Sequence, residues 1–190
     1  MCGLARHDEA IPRVKRALDL DPLSLVIHTS VGDAYFYARR YDEAIGHYQR
    51  ALELDPNFFW SYLWIGQARV QQGRYQEAIA EINRAVALSG SQTRVIATLG
   101  HAYAVAGRKN EAQQVIIQLL NRSKDNYVSS YYIALVYTGL GEKDKAFEWL
   151  EKAFEERESY FNLFRVEPVF DTLRPDPRFA SLLSRVDQTR

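Results

Sequence analysis

The stretch that decides the fold is Gly73-Arg74-Tyr75-Gln76-Glu77-Ala78, because its last residue recurs along the chain at one fixed spacing. Alanines stand at this constant interval, at Ala10, Ala44, Ala78, Ala112 and Ala146. The interval matches the period of about 34 residues that is typical of a helix-turn-helix unit, which buries its apolar face only by stacking on copies of itself. The chain is therefore predicted to be a helical repeat array. The repeat indicates the fold more closely than it indicates a binding partner.

A second series of small residues precedes the alanines by twelve positions, at Gly32, Gly66, Gly100 and Ala134. A glycine inside a helix costs about 1 kcal/mol relative to alanine, so its regular return indicates that two helix backbones approach closely there. We expect Gly32 to face Ala44 across one hairpin, and Gly66 and Gly100 to face the next two alanines in the same way.

The turns between helices repeat as well. Glycine is predicted to end helices in the left-handed conformation at Gly73, Gly107 and Gly141. Polar residues that follow are predicted N-caps, namely Asp42, Asn110 and Asp144. Proline marks a second kind of boundary at Asp21-Pro22 and Asp55-Pro56. These signals predict helices at about 8–20, 24–38, 42–54, 58–72, 76–88, 92–106, 110–122, 126–140 and 144–157.

Together these positions resemble the tetratricopeptide repeat (TPR). The family pattern is present in one copy as Val31-Gly32, Tyr35, Ala44, Tyr48, Ala51 and Pro56. Later copies depart from it at Arg69, which replaces a tyrosine, and at Leu119, which replaces an alanine. The resemblance implies an all-α fold, a right-handed α-solenoid of stacked antiparallel helix hairpins that a C-terminal helix caps.

The repeat register divides the chain into a TPR array over residues 1–158 and a capping segment over residues 159–190. Within the array we expect a half repeat at 1–22 and full repeats at about 25–58, 59–92, 93–126 and 127–158. Residues 5–10 align with residues 73–78, so the first hairpin lacks its first helix and we expect a fragment of a longer protein. A native start at Met1 is the alternative.

The tail is expected to leave the repeat period after the fifth hairpin. Asp176-Pro177 predicts a helix start, and an apolar stripe follows at Phe179, Leu182, Leu183 and Val186. The tail also resembles the C-terminal ends of TPR arrays in bacterial multidomain signalling proteins, where the array is fused to a winged-helix regulator, a nucleotide cyclase or a Ser/Thr kinase. That resemblance implies the C-terminal module of a larger bacterial regulatory protein.

Composition and charge narrow the choice of partners. Lys plus Arg and Asp plus Glu number 24 each, and the resulting zero net charge argues against direct binding of nucleic acid. The single cysteine, Cys2, excludes an internal disulfide. No apolar run approaches the ~20 residues that span a bilayer, so membrane insertion is not expected. We expect a cytoplasmic protein, or a periplasmic one if a membrane segment precedes it.

In TPR arrays the first helix of each hairpin lines a concave groove, and the resemblance implies that this groove binds a protein or peptide. The side of these helices opposite the packing residues predicts the lining: Asp33, Tyr37, Trp60, Leu63, Trp64, Gln67, Gln71, Arg94, Thr98, His101 and Tyr131. Such aromatic side chains suit a peptide with apolar anchors. We expect Trp60 and Trp64 to be exposed, whereas Phe36 and Tyr132 fit packing on neighbouring helices equally well.

Other binding modes and chemistries are not predicted. The TPR clamp for a C-terminal carboxylate needs Lys and Asn where this chain has Thr29, Asp33 and Trp64, and Arg94 alone matches it. The histidines His7, His28, His47 and His101 lack the spacing of a helical metal pair. The acidic run of Glu155, Glu156 and Glu158 is expected to be solvated.

The sequence therefore predicts a non-enzymatic protein-interaction scaffold without catalytic residues, metal or cofactor. One alternative is self-association into homo-oligomers through an uncapped apolar edge near Ile11 and Val14. An unrecognised hydrolase is a further alternative, and it would require a pocket with convergent titratable groups.

Overall fold

The computed structural model describes residues 7–188, and every regular element in this range is helical. The chain divides into two compact units, an N-terminal unit that ends at Ser91 and a C-terminal unit that begins at Gln92. The predictions for Cys2 and for the start of the half repeat lie outside the described residues. The stacked helix pairs confirm the all-α repeat fold.

The predicted helices are present in both units. Those of the N-terminal unit are α1 His7–Leu20, α2 Leu25–Tyr37, α3 Tyr41–Leu54, α4 Phe59–Gln71 and α5 Tyr75–Leu88. Those of the C-terminal unit are α6 Thr93–Val105, α7 Lys109–Arg122, α8 Ser130–Leu140, α9 Lys143–Glu155, α10 Phe161–Phe164 and α11 Pro177–Gln188, with a 3-10 turn at Pro168–Phe170. The predicted ends of the nine array helices agree to within two residues, except that α8 begins at Ser130 instead of 126.

Glu158 packs against the start of α8. Its carboxylate accepts a hydrogen bond from the Ser129 hydroxyl, directly before the helix. The backbone N–H groups of Ser130 and Tyr131 lie close enough to lower the pKa of Glu158, although burial has the larger effect and raises it. The expectation that Glu158 is solvated is therefore wrong, whereas Glu155 and Glu156 are exposed as expected.

The four hairpin turns share one backbone geometry. Each has a residue with positive φ, which is Arg39 (64°), Gly73 (74°), Gly107 (78°) or Gly141 (74°). The N–H of the next residue donates to the carbonyl five positions earlier, as Arg74 does to Arg69 at 2.9 Å. This Schellman motif confirms the predicted role of the glycines and places Arg39 in the same left-handed conformation.

The same turns correct the predicted N-caps. The residue that completes each Schellman motif is already the N-cap of the next helix, so the helix starts earlier than the polar residues indicate. The actual N-caps are Arg40, Arg108 and Glu142, none of which caps with its side chain. Asp42, Asn110 and Asp144 lie in the first helical turn, where the carboxylates of Asp42 and Asp144 interact favourably with the helix dipole.

The glycine series marks close helix approaches, and at Gly66 the predicted Ala78 is among the neighbours, because an added Cβ would lie 3.1 Å from its carbonyl oxygen. A Cβ atom on Gly32 would lie 2.4 Å from Tyr48 Cε1, and one on Gly66 would lie 2.4 Å from Ile82 Cγ1. At Gly100 the nearest atom is Val115 Cγ1, at 2.6 Å. The glycines thus face side chains about one helical turn beyond the alanines, so the pairing of Gly32 with Ala44 is corrected to Tyr48.

The departure at Arg69 also has a structural partner. Its guanidinium forms ion pairs with α5, at 2.9 Å from Glu81 Oε1 and 3.7 Å from Glu77 Oε2. The arginine therefore joins the two helices of its hairpin at a position where the family pattern has an aromatic ring.

Helix spacing continues into the tail, contrary to the expectation that the period stops. Helices α7, α9 and α11 begin at Lys109, Lys143 and Pro177, at the same interval as the repeated alanines. The N-cap prediction for α11 is confirmed, because the Asp176 carboxylate accepts from the Arg178 N–H at 3.0 Å. The tail therefore keeps the second helix of a further hairpin in register.

The burial pattern of α11 nevertheless differs from that of α9. In α9 the buried residues include Ala146 and Phe147, whereas Ala180, which stands one repeat period after Ala146, is exposed. The predicted apolar stripe turns inward, with Phe179, Leu182 and Val186 buried. These side chains share a core with Phe164, Phe170 and Leu173 from the irregular segment between α9 and α11.

The apolar side of α1 is not the open edge that the sequence suggests. Ile11 is buried, and Val14 and Leu18 pack against the same core, which also contains Val31 and Tyr35. The expectation of an uncapped edge at Ile11 and Val14 is wrong because α1 packs this side on α2. The exposed apolar side chains of this region lie at the α1–α2 junction instead: Leu20 (83% exposed), Leu23 (73%) and Val26 (67%).

Candidate functional site

Five predicted groove residues remain partly exposed in the N-terminal unit. They are Asp33 and Tyr37 on α2 and Trp60, Gln67 and Gln71 on α4, and we call them the N-terminal stripe. Asp33 and Gln67 occupy equivalent positions of successive repeats, as do Tyr37 and Gln71. The stripe therefore combines a carboxylate, a phenol, an indole and two amides on two helices of one unit.

Trp64 and Leu63, which were predicted for the same surface, are buried. The Trp64 ring is 8% exposed, meets Phe36 edge-on with 5.4 Å between centroids, and stacks on Tyr48 at 6.2 Å. The predicted exposure of Trp64 is wrong because its ring fills the space between α2, α3 and α4. Leu63 is fully buried because it shares a helix face with Gly66 and Val70.

Tyr48 connects this aromatic core to the stripe. Its ring is fully buried, and its hydroxyl donates to Asp33 Oδ1 at 2.8 Å. Tyr37 also contacts the core, with its ring 6.4 Å from that of Trp64. The core therefore orients both stripe residues of α2. Tyr48 fits the repeat pattern as a packing residue, and nothing in that pattern indicates its hydrogen bond to Asp33.

The equivalent positions of the C-terminal unit are closed. Thr98 and His101 are 6% and 7% exposed, and Arg94 alone of the predicted residues there is partly exposed. A Cβ atom on Gly139 would lie 2.9 Å from His101 Cδ2, so the close approach of α8 to α6 covers the imidazole. Burial lowers the pKa of His101 to about 4, which keeps the ring neutral at pH 7.

Tyr131, the remaining predicted residue, is enclosed by the tail. Its ring stacks on Tyr160 at 5.6 Å and meets Phe161 and Phe170 edge-on at 5.8 and 5.3 Å. The Tyr132 hydroxyl donates to the Tyr160 hydroxyl, and the Arg94 guanidinium lies 5.8 Å from the centroid of the Tyr160 ring. In this unit, Arg94 and Tyr131, which were predicted to bind a ligand, contact side chains of the tail instead.

The open choice between packing and exposure at Phe36 and Tyr132 is settled by their burial. Phe36 and Tyr132 are 1% and 8% exposed, so for both residues the packing alternative is correct.

Within residues 7–188, no three His, Cys, Asp or Glu side chains are grouped to hold a metal ion. None of the helices in that range combines the length and apolarity that crossing a bilayer requires.

Three family models match the chain. One, described as TPR repeat, covers residues 32–73, and two described as Tetratricopeptide repeat cover residues 70–135 and 129–160. Together they span residues 32–160, from within α2 to beyond the end of α9. The chain is a tetratricopeptide-repeat protein, and such repeats typically form non-catalytic scaffolds. The comparison with curated proteins gave no match.

Solved structures with the same fold include three that cover most of the chain. The crystal structure of MamA is 25% identical, with a TM-score of 0.53, and covers 80% of this chain and 88% of its own. A TPR protein from Parabacteroides merdae is 17% identical, with a TM-score of 0.67 over 96% of this chain and 72% of its own. YrrB, described as a TPR protein with an unusual peptide-binding site, is 14% identical, with a TM-score of 0.52 over 91% and 90%.

Proposed function

We propose that the chain is a protein-interaction scaffold whose N-terminal stripe, Asp33, Tyr37, Trp60, Gln67 and Gln71, binds an extended peptide segment of a partner protein. The observation that carries the proposal is exposure. These five predicted groove residues keep accessible side chains, whereas Leu63, Trp64, Thr98, His101 and Tyr131 are buried.

The chemistry of the stripe suits an extended backbone. Gln67 and Gln71 are one helical turn apart on α4, and each amide offers both a donor and an acceptor to a peptide group. Trp60 and Tyr37 add apolar ring area for an anchor side chain. The stripe contains one carboxylate, Asp33, and no cation, so it favours a segment that is neutral or basic. A peptide-binding site is reported for YrrB, but the likeness to that protein concerns the fold, so the stripe itself supports this partner class.

The proposal is tested by selecting peptides from a displayed random library against the full chain and measuring their affinity by fluorescence anisotropy. Trp60→Ala is expected to weaken a selected peptide at least tenfold, equivalent to about 1.4 kcal/mol. Tyr75→Ala is the matched control, because Tyr75 is an exposed aromatic residue (37%) outside the stripe. Equal affinities of the wild type and Trp60→Ala would show that the stripe does not bind the peptide.

The proposal extends to the biological setting of the chain. The tail resemblance supports a C-terminal module of a larger bacterial regulatory protein that works in the cytoplasm. The open reading frame that contains the codon for Met1 tests it: an in-frame upstream regulatory domain supports this setting, and an upstream stop codon contradicts it.

A second candidate function is self-association. The observation in its favour is the exposure of Leu20, Leu23 and Val26, which lie close together in sequence at the α1–α2 junction. Light scattering over a concentration series tests this alternative with Leu23→Gln as the variant. A mass that rises with concentration in the wild type but not in Leu23→Gln supports it, and a constant monomer mass in the wild type rejects it.

A further inference from the structure

Two histidines meet at the junction of α1, α2 and α3, away from the N-terminal stripe. The ring centroids of His28 on α2 and His47 on α3 are 6.1 Å apart, and His47 stacks on Tyr35 at 5.5 Å. Both imidazoles are partly buried. The repeat sequence separates these histidines into different elements, and the pairing of α2 with α3 brings them together.

The hydrogen bonds of the two rings show which ring nitrogens have partners. His28 Nε2 lies 3.0 Å from the Pro22 carbonyl oxygen, and because a carbonyl only accepts, Nε2 carries the proton. The Nδ1 atoms of His28 and His47 are both buried without a hydrogen-bond partner among residues 7–188. Protonation of His47 would therefore leave its Nδ1–H buried without an acceptor, which is unfavourable.

The groups around the pair add to this cost. Lys15 of α1 places its ammonium 5.4 Å from the centroid of the Tyr35 ring, and the Arg40 guanidinium of the α2–α3 turn lies 4.7 Å from it. Arg40 is itself paired with Glu43. Burial has the largest effect on His47 and lowers its pKa, and His28 and Lys15 lower it further. On α1, the charge of Lys15 thus disfavours protonation of His47.

We infer that His47, which stacks on Tyr35 and packs beside His28, is an acid-sensitive contact that holds α1 on the α2–α3 pair at neutral pH and releases it on acidification. An opened N-terminal unit binds a proton at His47 more readily than the closed one, because the pKa of His47 is lowered in the closed unit. The stabilisation is therefore complete above the ordinary pKa of histidine and declines as the pH falls through that range. Opening uncovers the buried side chains of Ile11 and Tyr35.

Amide hydrogen exchange of the full chain at pH 7.5 and 5.5, corrected for the intrinsic pH dependence, tests this inference. In the wild type, protection of α1 is expected to fall at least tenfold at pH 5.5. In the double variant His28→Gln, His47→Gln it is expected to stay within threefold of its value at pH 7.5. His101→Gln, in the C-terminal unit, is the matched control and is expected to leave the α1 response unchanged.

A single substitution at an exposed residue tests the inference even if the double variant does not fold. Lys15 is exposed, so Lys15→Gln is expected to preserve the fold while weakening the acid response of α1, because it removes a cation that lowers the pKa of His47. Unchanged protection of α1 in the wild type at pH 5.5 would overturn the inference. So would an acid response that persists undiminished in the double variant, or in Lys15→Gln.

Discussion

The two units place the same repeat positions in different surroundings. Gln67 on α4 and His101 on α6 are one repeat period apart and therefore equivalent, yet Gln67 is partly exposed and His101 is 7% exposed. In the N-terminal unit, α2 and α4 keep partly exposed side chains above an aromatic core. In the C-terminal unit, the approach of α8 to α6 and the tail rings around Tyr131 close the corresponding surface.

This difference shows that a repeat period determines where a side chain lies on its helix but not whether a ligand can reach it. Access depends on what packs against that helix, and this varies between repeats with residues such as Gly139, Tyr160 and Phe170. Substitutions in the two units test the contrast between an open N-terminal stripe and its closed counterpart.

The largest expected effect comes from Tyr131 in the closed unit. Tyr131→Ala is expected to lower the free energy of unfolding by about 3–5 kcal/mol, because it leaves a cavity among the rings of Tyr160, Phe161 and Phe170. Trp60→Ala, in the open stripe, is expected to cost about 1 kcal/mol or less. Urea denaturation followed by circular dichroism measures both, and similar losses for the two variants would contradict the contrast.

The next effect is a pH dependence that comes from the burial of His101. Its pKa is lowered to about 4 in the folded chain, so the unfolded chain binds the proton more readily. The stabilisation is complete above about pH 6.5 and is lost as the pH falls towards 4. Between pH 7 and pH 5, His101 is expected to lower the free energy of unfolding by about 2 kcal/mol.

Urea titrations at the two pH values measure this loss. The variant His101→Gln keeps a neutral side chain at every pH and serves as the comparison. A loss as large in His101→Gln as in the wild type would assign the pH dependence to other groups.

An effect of similar size is expected at the close helix contact that supports the open stripe. Gly32→Ala is expected to destabilise by about 1–3 kcal/mol, because its Cβ would press on the buried Tyr48 ring that holds Asp33. Gly46→Ala is the control: Gly46 is an exposed glycine inside α3 with no atom within 4 Å of the added Cβ. It is expected to stabilise by about 1 kcal/mol. Thermal melts that shift in the same direction for both variants would refute the proposed contact.

The smallest effect concerns the turns, which are alike in both units. Arg39 has a positive φ of 64° at a position where Gly73, Gly107 and Gly141 stand in the other hairpins. Arg39→Gly is expected to stabilise by about 0.5–1 kcal/mol, and Gly107→Ala to destabilise by a similar amount. Urea midpoints measure both changes, and a destabilised Arg39→Gly would mean that contacts of the arginine side chain outweigh the backbone strain.

Much of the fold could be predicted from the sequence, because alanine, glycine and turn residues each follow the same period and local helix signals agree with it. Exposure could not be predicted in the same way. Trp64 and Gln67 lie on one side of α4, but only the three-dimensional neighbours Phe36 and Tyr48 bury the tryptophan. The hydrogen bond of the Ser129 hydroxyl, directly before α8, to Glu158 also joins residues far apart in sequence, and helical periodicity does not indicate it.

The most direct test of the central claim is a hydrogen-exchange footprint of a library-selected peptide on the full wild-type chain at pH 7.5. Saturating peptide is expected to slow exchange in α2 and α4. Trp60→Ala is expected to abolish this protection at the same peptide concentration, whereas Tyr75→Ala is expected to retain it. Protection confined to α6 and α8, or an unchanged footprint in Trp60→Ala, would contradict the claim that the N-terminal stripe is the binding surface.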